Sequence, residues 1–341
     1  RYVIFTTLIA EAIGAAMLYP MFRESLDAFG QPLSASAALG HAVFHSVSAF
    51  CNAGFALYET NLAGPLASHW QILGVIAPLI VLGGLGFIVL RDVLPWLSWQ
   101  LRHHVLRRST SNLPPRFSLH TKLVLVATLV LIVFGAVATA GLNECSNNPE
   151  WAKLSASEKF GASLFQSVTT RTAGFNTIDM DQMPDSAKFI FCGLMTIGGS
   201  PGGTAGGMKT ITVVILVLAV LALLRRRSGP EAFGRTLPAG LIHRALTLAT
   251  IYLALLATTT LLLSAMLPDE QFIDVMFEAS SACGTVGLST GVTTRLTPGA
   301  ELVITFAMFL GRLGPLTLIF ALAPRKRAAD YIYPEEPVAV C

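Results

Sequence analysis

The stretch FEASSACGTVGLSTG, residues 277–291, decides the fold, and its centre is Thr285-Val286-Gly287. It lies between two apolar segments, 241–267 and 301–322, and each is long enough to cross a bilayer, which takes roughly 20 residues. The approach, 272–282, carries apolar residues at helical spacing but is too short to span. A short helix followed by a Gly-containing extended turn, at membrane depth, survives only where protein buries it or where it lines a water-filled path. Backbone carbonyls freed from helical bonding there are the ligands that a dehydrated K⁺ ion needs in place of its water shell.

The same arrangement occurs three times, and internal repeats take precedence over any other fold signal. HSVSAFCNAGF occupies 45–55, QSVTTRTAGF 166–175 and EASSACGTVGL 278–288. Gly54, Gly174 and Gly287 follow Ala53, Ala173 and Val286, and precede Phe55, Phe175 and Leu288. A Ser/Thr-rich run leads into each copy, and the second copy is one residue shorter than the others. Long apolar segments flank every copy, so the unit is span, short re-entrant helix, turn, span. A carbonyl-lined turn needs φ > 0, which a Cβ penalises and glycine accepts. One such glycine could equally be the C′ cap of a short helix; three at the same place in the same unit argue for the carbonyl-lined turn. The carbonyls assigned to a K⁺ filter are those of Cys51, Asn52, Ala53 and Gly54, of Arg171, Thr172, Ala173 and Gly174, and of Gly284, Thr285, Val286 and Gly287.

Composition agrees with a membrane setting. The 341 residues are 53% hydrophobic and 13% charged, which describes a polytopic membrane protein rather than a soluble domain. A net charge of +3 is too small to point to nucleic acid. Its distribution says more: basic clusters fall at 102–116, 225–235 and 325–327, whereas the loops between them carry Glu144, Glu150, Glu158, Asp179, Asp181, Asp185, Asp269, Glu270 and Asp274. The positive-inside bias makes the basic clusters cytoplasmic and opens the re-entrant turns outward. Acidic outer loops would concentrate cations at the mouth, or are ordinary solvated loops. The five cysteines are widely spaced and form no metal or redox pattern. The first apolar segment has no small-residue cleavage pattern before Pro20, so it reads as a span and not a signal peptide.

In chain order, 2–21 is the first span, 34–50 the first short helix, and 70–96 a second span with Trp70 and Trp96 as interfacial anchors. Residues 97–118 are basic and Pro-broken, as expected of a cytoplasmic surface helix and linker, and 119–142 form the third span. Arg171, at the edge of a cation filter, is expected to turn its charge toward an outer acidic residue. The apolar stretch 186–224 is interrupted by GGSPGGTAGG, 198–207. No continuous helix tolerates that density, at roughly 1 kcal/mol per Gly and 3 for Pro relative to Ala. A phosphate-binding loop is disfavoured, because Gly207-Met208-Lys209-Thr210 lacks the Gly-Lys-Ser/Thr ending and both flanks are apolar spans. The last span contains Gly311-Arg312-Leu313-Gly314-Pro315. An arginine within a membrane segment is costly and by default a functional candidate, the alternative being that it snorkels to the cytoplasmic interface.

Three motifs, SVTTRTAGFNT at 167–177, GGSPGGTAGGMKT at 198–210 and GRLGPLTL at 311–318, are specific together. Through them essentially the whole chain resembles the Trk/Ktr/HKT superfamily of cation-translocating subunits, nearest the bacterial KtrB and TrkH type. The resemblance implies a K⁺ channel folded from one chain, with four units in pseudo-fourfold arrangement around one pore. It implies that Gly198, Gly199, Ser200, Gly202, Gly203, Thr204, Gly206, Gly207 and Lys209 form an intramembrane gating loop beneath the filter. It places Arg312 in the cavity below the filter, against that loop. It also implies a homodimer, a cytoplasmic nucleotide-binding regulatory ring, and Na⁺ as a candidate coupling ion.

The chain departs from the family pattern in having three units. It begins at Arg1, without a Met and directly in an apolar segment, and is read as a fragment lacking the first unit. Residues 1–96 then form a second-type pore repeat, 97–118 a cytoplasmic amphipathic linker, and 119–227 a third-type repeat with the Gly-rich loop. Residues 228–240 are a further cytoplasmic linker, 241–323 the fourth-type repeat and 324–341 a cytoplasmic tail.

The expectation is therefore an all-α polytopic membrane protein that takes up K⁺ across a bacterial inner membrane, with no covalent cofactor and no enzymatic chemistry. An intramembrane enzyme would need a catalytic set inside the spans, yet His41, His45, His69, His103, His104, His120 and His243 occupy loops or helix ends. A broken-helix solute transporter would show paired broken spans, whereas this chain repeats a re-entrant hairpin.

Overall fold

The computed structural model describes residues 2–25, 31–105, 115–146, 148–227 and 229–314. In the first unit, α1 (Tyr2–Glu24) is apolar on every face apart from Glu11 and its Arg23-Glu24 end, as a helix solvated by lipid is. α2 (Ala35–Phe50) starts where Ser34 Oγ accepts from the Ala37 N–H. A π-helical turn (Ile72–Ile76) leads into α3 (Ala77–Leu85), and α4 (Phe87–Gln100) follows. The second unit opens with α5 (Leu119–Cys145), capped by Ser118, and continues through the single turn α6 (Pro149–Ala152). α7 (Ala156–Thr169) begins with a reciprocal capping box between Ser155 and Glu158. α8 (Asp185–Thr196) and α9 (Thr210–Leu224) flank the Gly-rich loop. The third unit is α10 (Ala239–Met266), α11 (Phe272–Gly284) and α12 (Pro298–Leu313).

Length separates the helices into two kinds. Among the described residues, α1, α5 and α10 are long and apolar enough to cross a membrane. α2, α7 and α11 have 16, 14 and 13 residues. At 1.5 Å per residue they reach about 24, 21 and 20 Å, short of the roughly 30 Å of hydrocarbon. Each of the three ends at a turn, the second fully buried and the first and third partly so.

The units interlock through apolar side chains. Leu18, Phe22, Phe50 and Ile76 of the first unit enclose Phe165, Ala173 and Phe175 of the second. Phe191 and Met195 of α8 pack with Phe277, Val286 and Leu288 of the third. Apolar side chains that stay exposed, such as Leu129, Val133 and Val137 on α5 or Leu302 and Phe306 on α12, lie on the span surfaces. In water such stripes would be an aggregation hazard; in a bilayer they meet their own solvent.

Two features differ from the sequence reading. The expected span 70–96 is not one straight helix: the pair Ile72–Leu85 and Phe87–His103 is bent by 117°. The break falls at Gly86, whose φ of +82° suits glycine, and α4 runs on past Trp96 into a π-helical turn, Leu101–Val105. The expected all-α fold also contains a two-residue hairpin, β1 (Glu231–Ala232) with β2 (Arg235–Thr236). Phe233 and Gly234 at its tip both have positive φ, the requirement of a tight hairpin turn. The end of the expected last span, the basic cluster 325–327 and the tail lie outside the described residues, as does part of the linker 97–118.

Candidate functional site

The three glycine turns share one backbone pattern. Positive φ occurs at Asn52 (51°) and Gly54 (72°), at Thr172 (70°) and Gly174 (85°), and at Thr285 (52°) and Gly287 (96°). Ala53, Ala173 and Val286, between them, are not left-handed. Alternating handedness turns successive peptide units to the same side, where an extended strand would alternate them. Left-handed backbone is an outlier for a β-branched residue and costs on the order of 1–2 kcal/mol. Two threonines in that state at equivalent positions are stored strain of the kind that clusters at functional sites.

A backbone bond closes each turn, and a Ser or Thr hydroxyl adds a second. The Ala53 N–H donates to Ser48 O (2.9 Å) and the Val286 N–H to Ser281 O (2.8 Å). In the second unit the Ala173 N–H reaches Thr169 O (2.9 Å), so its shorter copy is closed by a turn one residue tighter. Ser48 Oγ donates to Phe55 O (2.9 Å), Thr169 Oγ1 to Phe175 O (2.6 Å), and Ser281 Oγ accepts from Gly287 N (3.1 Å).

The turns also lie side by side. A Cβ on Gly54 would overlap the Ala173 carbonyl oxygen, and one on Gly174 would overlap that of Val286. Asn61 Nδ2 donates to both Gly54 O (3.3 Å) and Gly174 O (3.4 Å), linking the first two turns. The Thr172 and Thr285 hydroxyls are buried with no hydrogen-bond partner among the described residues.

The Gly-rich loop lies against these turns. It is framed by a bridge between Ile197 and Met208, and Thr210 Oγ1 donates to Gly198 O (2.7 Å). Its middle docks into the break between α3 and α4: Ser200 N donates to Gly84 O (2.9 Å), Thr204 N to Gly83 O (3.2 Å), and Phe87 N to Gly202 O (3.1 Å). Thr204 Oγ1 donates to Phe50 O (3.1 Å) and lies 3.2 Å from the Asn52 side-chain amide. Gly206 has no room for a Cβ, which would overlap the Thr285 hydroxyl. The loop therefore touches the ends of the first and third turns, and the Gly83-Gly84-Leu85-Gly86 break supplies its seat.

Charged groups converge nearby. Lys209 Nζ folds back onto Ala205 O (2.8 Å). Arg312, in the last turn of α12, has an exposed side chain and makes no hydrogen bond to the loop among the described residues. Its charge nevertheless acts on both Cys51 and Lys209. The Cys51 thiol faces Glu11 Oε1 at 3.8 Å. Arg171 does not turn to an outer acid as expected: it is only 8% exposed, and its Nη2 donates to Thr210 Oγ1 (3.2 Å) at the base of the Gly-rich loop. Packing accounts for this, because Val168, Gly199 and Thr128 line the small space behind the turn into which the side chain extends. Sequence reasoning missed Glu11 and the Gly83–Gly86 seat. The seat had a signal in the GGLG run, and Glu11 in being an acid within an apolar span.

Comparisons with known proteins show the family. The TrkH family model, described as "Cation transport protein", matches residues 1–331. The potassium/sodium uptake protein NtpJ of Enterococcus hirae is 35% identical over 342 residues, covering 99% of this chain and 70% of the relative. The Ktr system potassium uptake protein B of Vibrio alginolyticus is 34% identical, covering 99% and 69%, and that of Bacillus subtilis is 36% identical, covering 97% and 68%. Among solved structures, the potassium transporter TrkH from Vibrio parahaemolyticus superposes with a TM-score of 0.71 at 16% identity. That match covers 94% of this chain and 63% of the TrkH chain.

Proposed function

The chain belongs to the TrkH family of cation transport proteins, and from that premise we propose that it carries K⁺ into the cell through the three glycine turns. The observation that carries this reading is the left-handed pair in each turn, Asn52 with Gly54, Thr172 with Gly174 and Thr285 with Gly287, in turns that lie against one another. Carbonyls turned to one side replace the hydration shell of a dehydrated cation, and the unpartnered Thr172 and Thr285 hydroxyls add oxygens of the same kind. Na⁺ is the second ion of the proposal, since a relative is named for both cations. The families of catalytic chemistry set aside from the sequence stay set aside, because the relatives are named as uptake proteins.

The Gly-rich loop is the proposed gate. It is hydrogen-bonded to Gly83, Gly84 and Phe50 in the pose described, and ten residues rich in glycine can exchange that pose for another at low backbone cost. Lys209 and Arg312 add positive charge on the cytoplasmic side of the turns. A bacterial inner membrane location, a homodimer and a regulatory ring on the basic face complete the reading. They rest on the resemblance and on the Arg225–Arg227 and Arg235 cluster.

The test is ⁸⁶Rb⁺ uptake into cells deficient in K⁺ transport, with K⁺ and Na⁺ as competitors, for the parent protein and Gly287→Ser. Gly287 has room for a side chain, its nearest neighbour to a Cβ being Gly174 Cα at 3.6 Å, but its φ of +96° does not suit one. Competition by K⁺ well below Na⁺, and a loss of that preference in Gly287→Ser, is the expected result. An unchanged preference in a well-expressed variant refutes the carbonyl filter.

A further inference from the structure

The first residue of each quoted repeat, His45, Gln166 and Glu278, has no role in the reading above, yet all three are buried, with exposures of 0%, 0% and 5%. Their hydrogen bonds follow one rule. His45 Nε2 accepts from Leu57 N (3.3 Å), Gln166 Nε2 donates to Thr177 Oγ1 (3.3 Å), and Glu278 Oε1 accepts from Thr290 N (3.2 Å). Leu57, Thr177 and Thr290 each stand three residues after the glycine of their own turn, after Gly54, Gly174 and Gly287. Three unlike side chains thus make the same cross-link, from the short helix to the segment leaving the turn on its outer side.

Each bond is supported from behind. The other ring nitrogen of His45, Nδ1, bonds His41 O (2.8 Å), so Nδ1 carries the proton and Nε2 is free to accept. Glu278 is the most heavily engaged: Ser289 Oγ also donates to Oε1, and Thr293 Oγ1 donates to Oε2 (2.9 Å). Before the glycine, the backbone carbonyls of Ser48, Thr169 and Ser281 accept from Ala53, Ala173 and Val286 N–H and fasten the inner half of each turn. The outer cross-link fastens the other half, so each turn is held to its short helix on both sides of the glycine.

We propose that His45, Gln166 and Glu278 are positioning residues that set cation preference by bracing the outer ends of the three turns. The proposal rests on reading those turns as the filter. A carbonyl site that keeps its size favours the larger cation over the smaller one, and a loosened outer end weakens that constraint. A binding constellation tolerates about 0.5 Å of displacement before its geometry is lost, and a buried bond of 3.3 Å or less is what keeps a segment within it.

The second unit allows the sharpest test, since both ends of its cross-link are side chains. Gln166→Leu, Thr177→Val and the double variant are compared for Na⁺ uptake relative to ⁸⁶Rb⁺ uptake, a ratio that does not depend on expression level. Each single variant is expected to raise the ratio about tenfold, equivalent to about 1.4 kcal/mol, and the double variant no further than either single one. In the third unit Glu278→Leu is expected to do the same, while Glu278→Gln, which keeps an acceptor for Thr290 N, retains most of the preference. Gly287→Ser runs alongside as the filter control. A ratio unchanged in Gln166→Leu and Thr177→Val while Gly287→Ser shifts it overturns the bracing role alone, as does a double variant in which the single effects multiply. A ratio unmoved by Gly287→Ser as well overturns the filter reading and the brace with it. Thermal stability in detergent is measured in parallel. Melting that falls in Gln166→Leu with no change in ratio assigns the bond to packing and also refutes the proposal.

Discussion

Replacing Thr204 by Val isolates the tie between the Gly-rich loop and the first turn. Valine keeps the shape of threonine and removes only the hydroxyl, which donates to Phe50 O at 3.1 Å and lies 3.2 Å from the Asn52 amide. The loop's backbone bonds to Gly83 and Gly84 remain, as does the Phe87 N–H to Gly202 O. Two hydrogen bonds at roughly 1 kcal/mol each give about 2 kcal/mol against the docked pose, or about 30-fold in the equilibrium between docked and undocked loop. If the docked loop obstructs the path, initial ⁸⁶Rb⁺ uptake at equal membrane abundance rises, up to the point where another step limits it. Preference for K⁺ over Na⁺ is measured in the same cells, because Asn52 belongs to the first turn and its loosening would show there. Uptake that stays at or below the parent level, with preference intact, refutes the gating assignment of this loop.

Arg312→Ala removes a positive charge whose field reaches Cys51 and Lys209, so uptake is expected to increase; a decrease at equal abundance would count against a barrier at this position. The buried Lys188–Asp274 pair (2.8 Å) joins α8 to α11. Lys188→Met alone should lower stability in detergent by about 3–5 kcal/mol, since it strands a buried carboxylate, and pairing it with Asp274→Leu should restore most of the loss. Equal melting of the two variants would show that the pair is not coupled. Gly86→Ala puts a Cβ into left-handed backbone 2.8 Å from Pro201 O, which should raise hydrogen exchange in residues 198–207; unchanged exchange there would mean that the α3–α4 break does not seat the loop.

The parts of the fold legible in the sequence were those set by local rules. Apolar length located α1, α5 and α10, and the glycines of the three repeats marked the turns. The density of Gly and Pro at 198–207 located the break between α8 and α9. What escaped was set by tertiary approach. Gly86 looks like one more glycine in an apolar span until the loop of another unit is seen bonded to Gly83 and Gly84. Charge alone sends Arg171 outward; the space behind its turn and the Thr210 hydroxyl hold it inside. His45, Gln166 and Glu278 each open a repeat without sharing a chemistry, so only their partners, each three residues beyond a glycine, disclose a common task.

The most direct measurement is anomalous diffraction from crystals of the protein grown with Rb⁺ or Tl⁺ in place of K⁺. The account predicts anomalous density between the Gly54, Gly174 and Gly287 turns, within coordinating distance of their carbonyl oxygens, and its loss when Na⁺ replaces the heavier ion. Density confined to the acidic outer loops, with none between the turns, would contradict it.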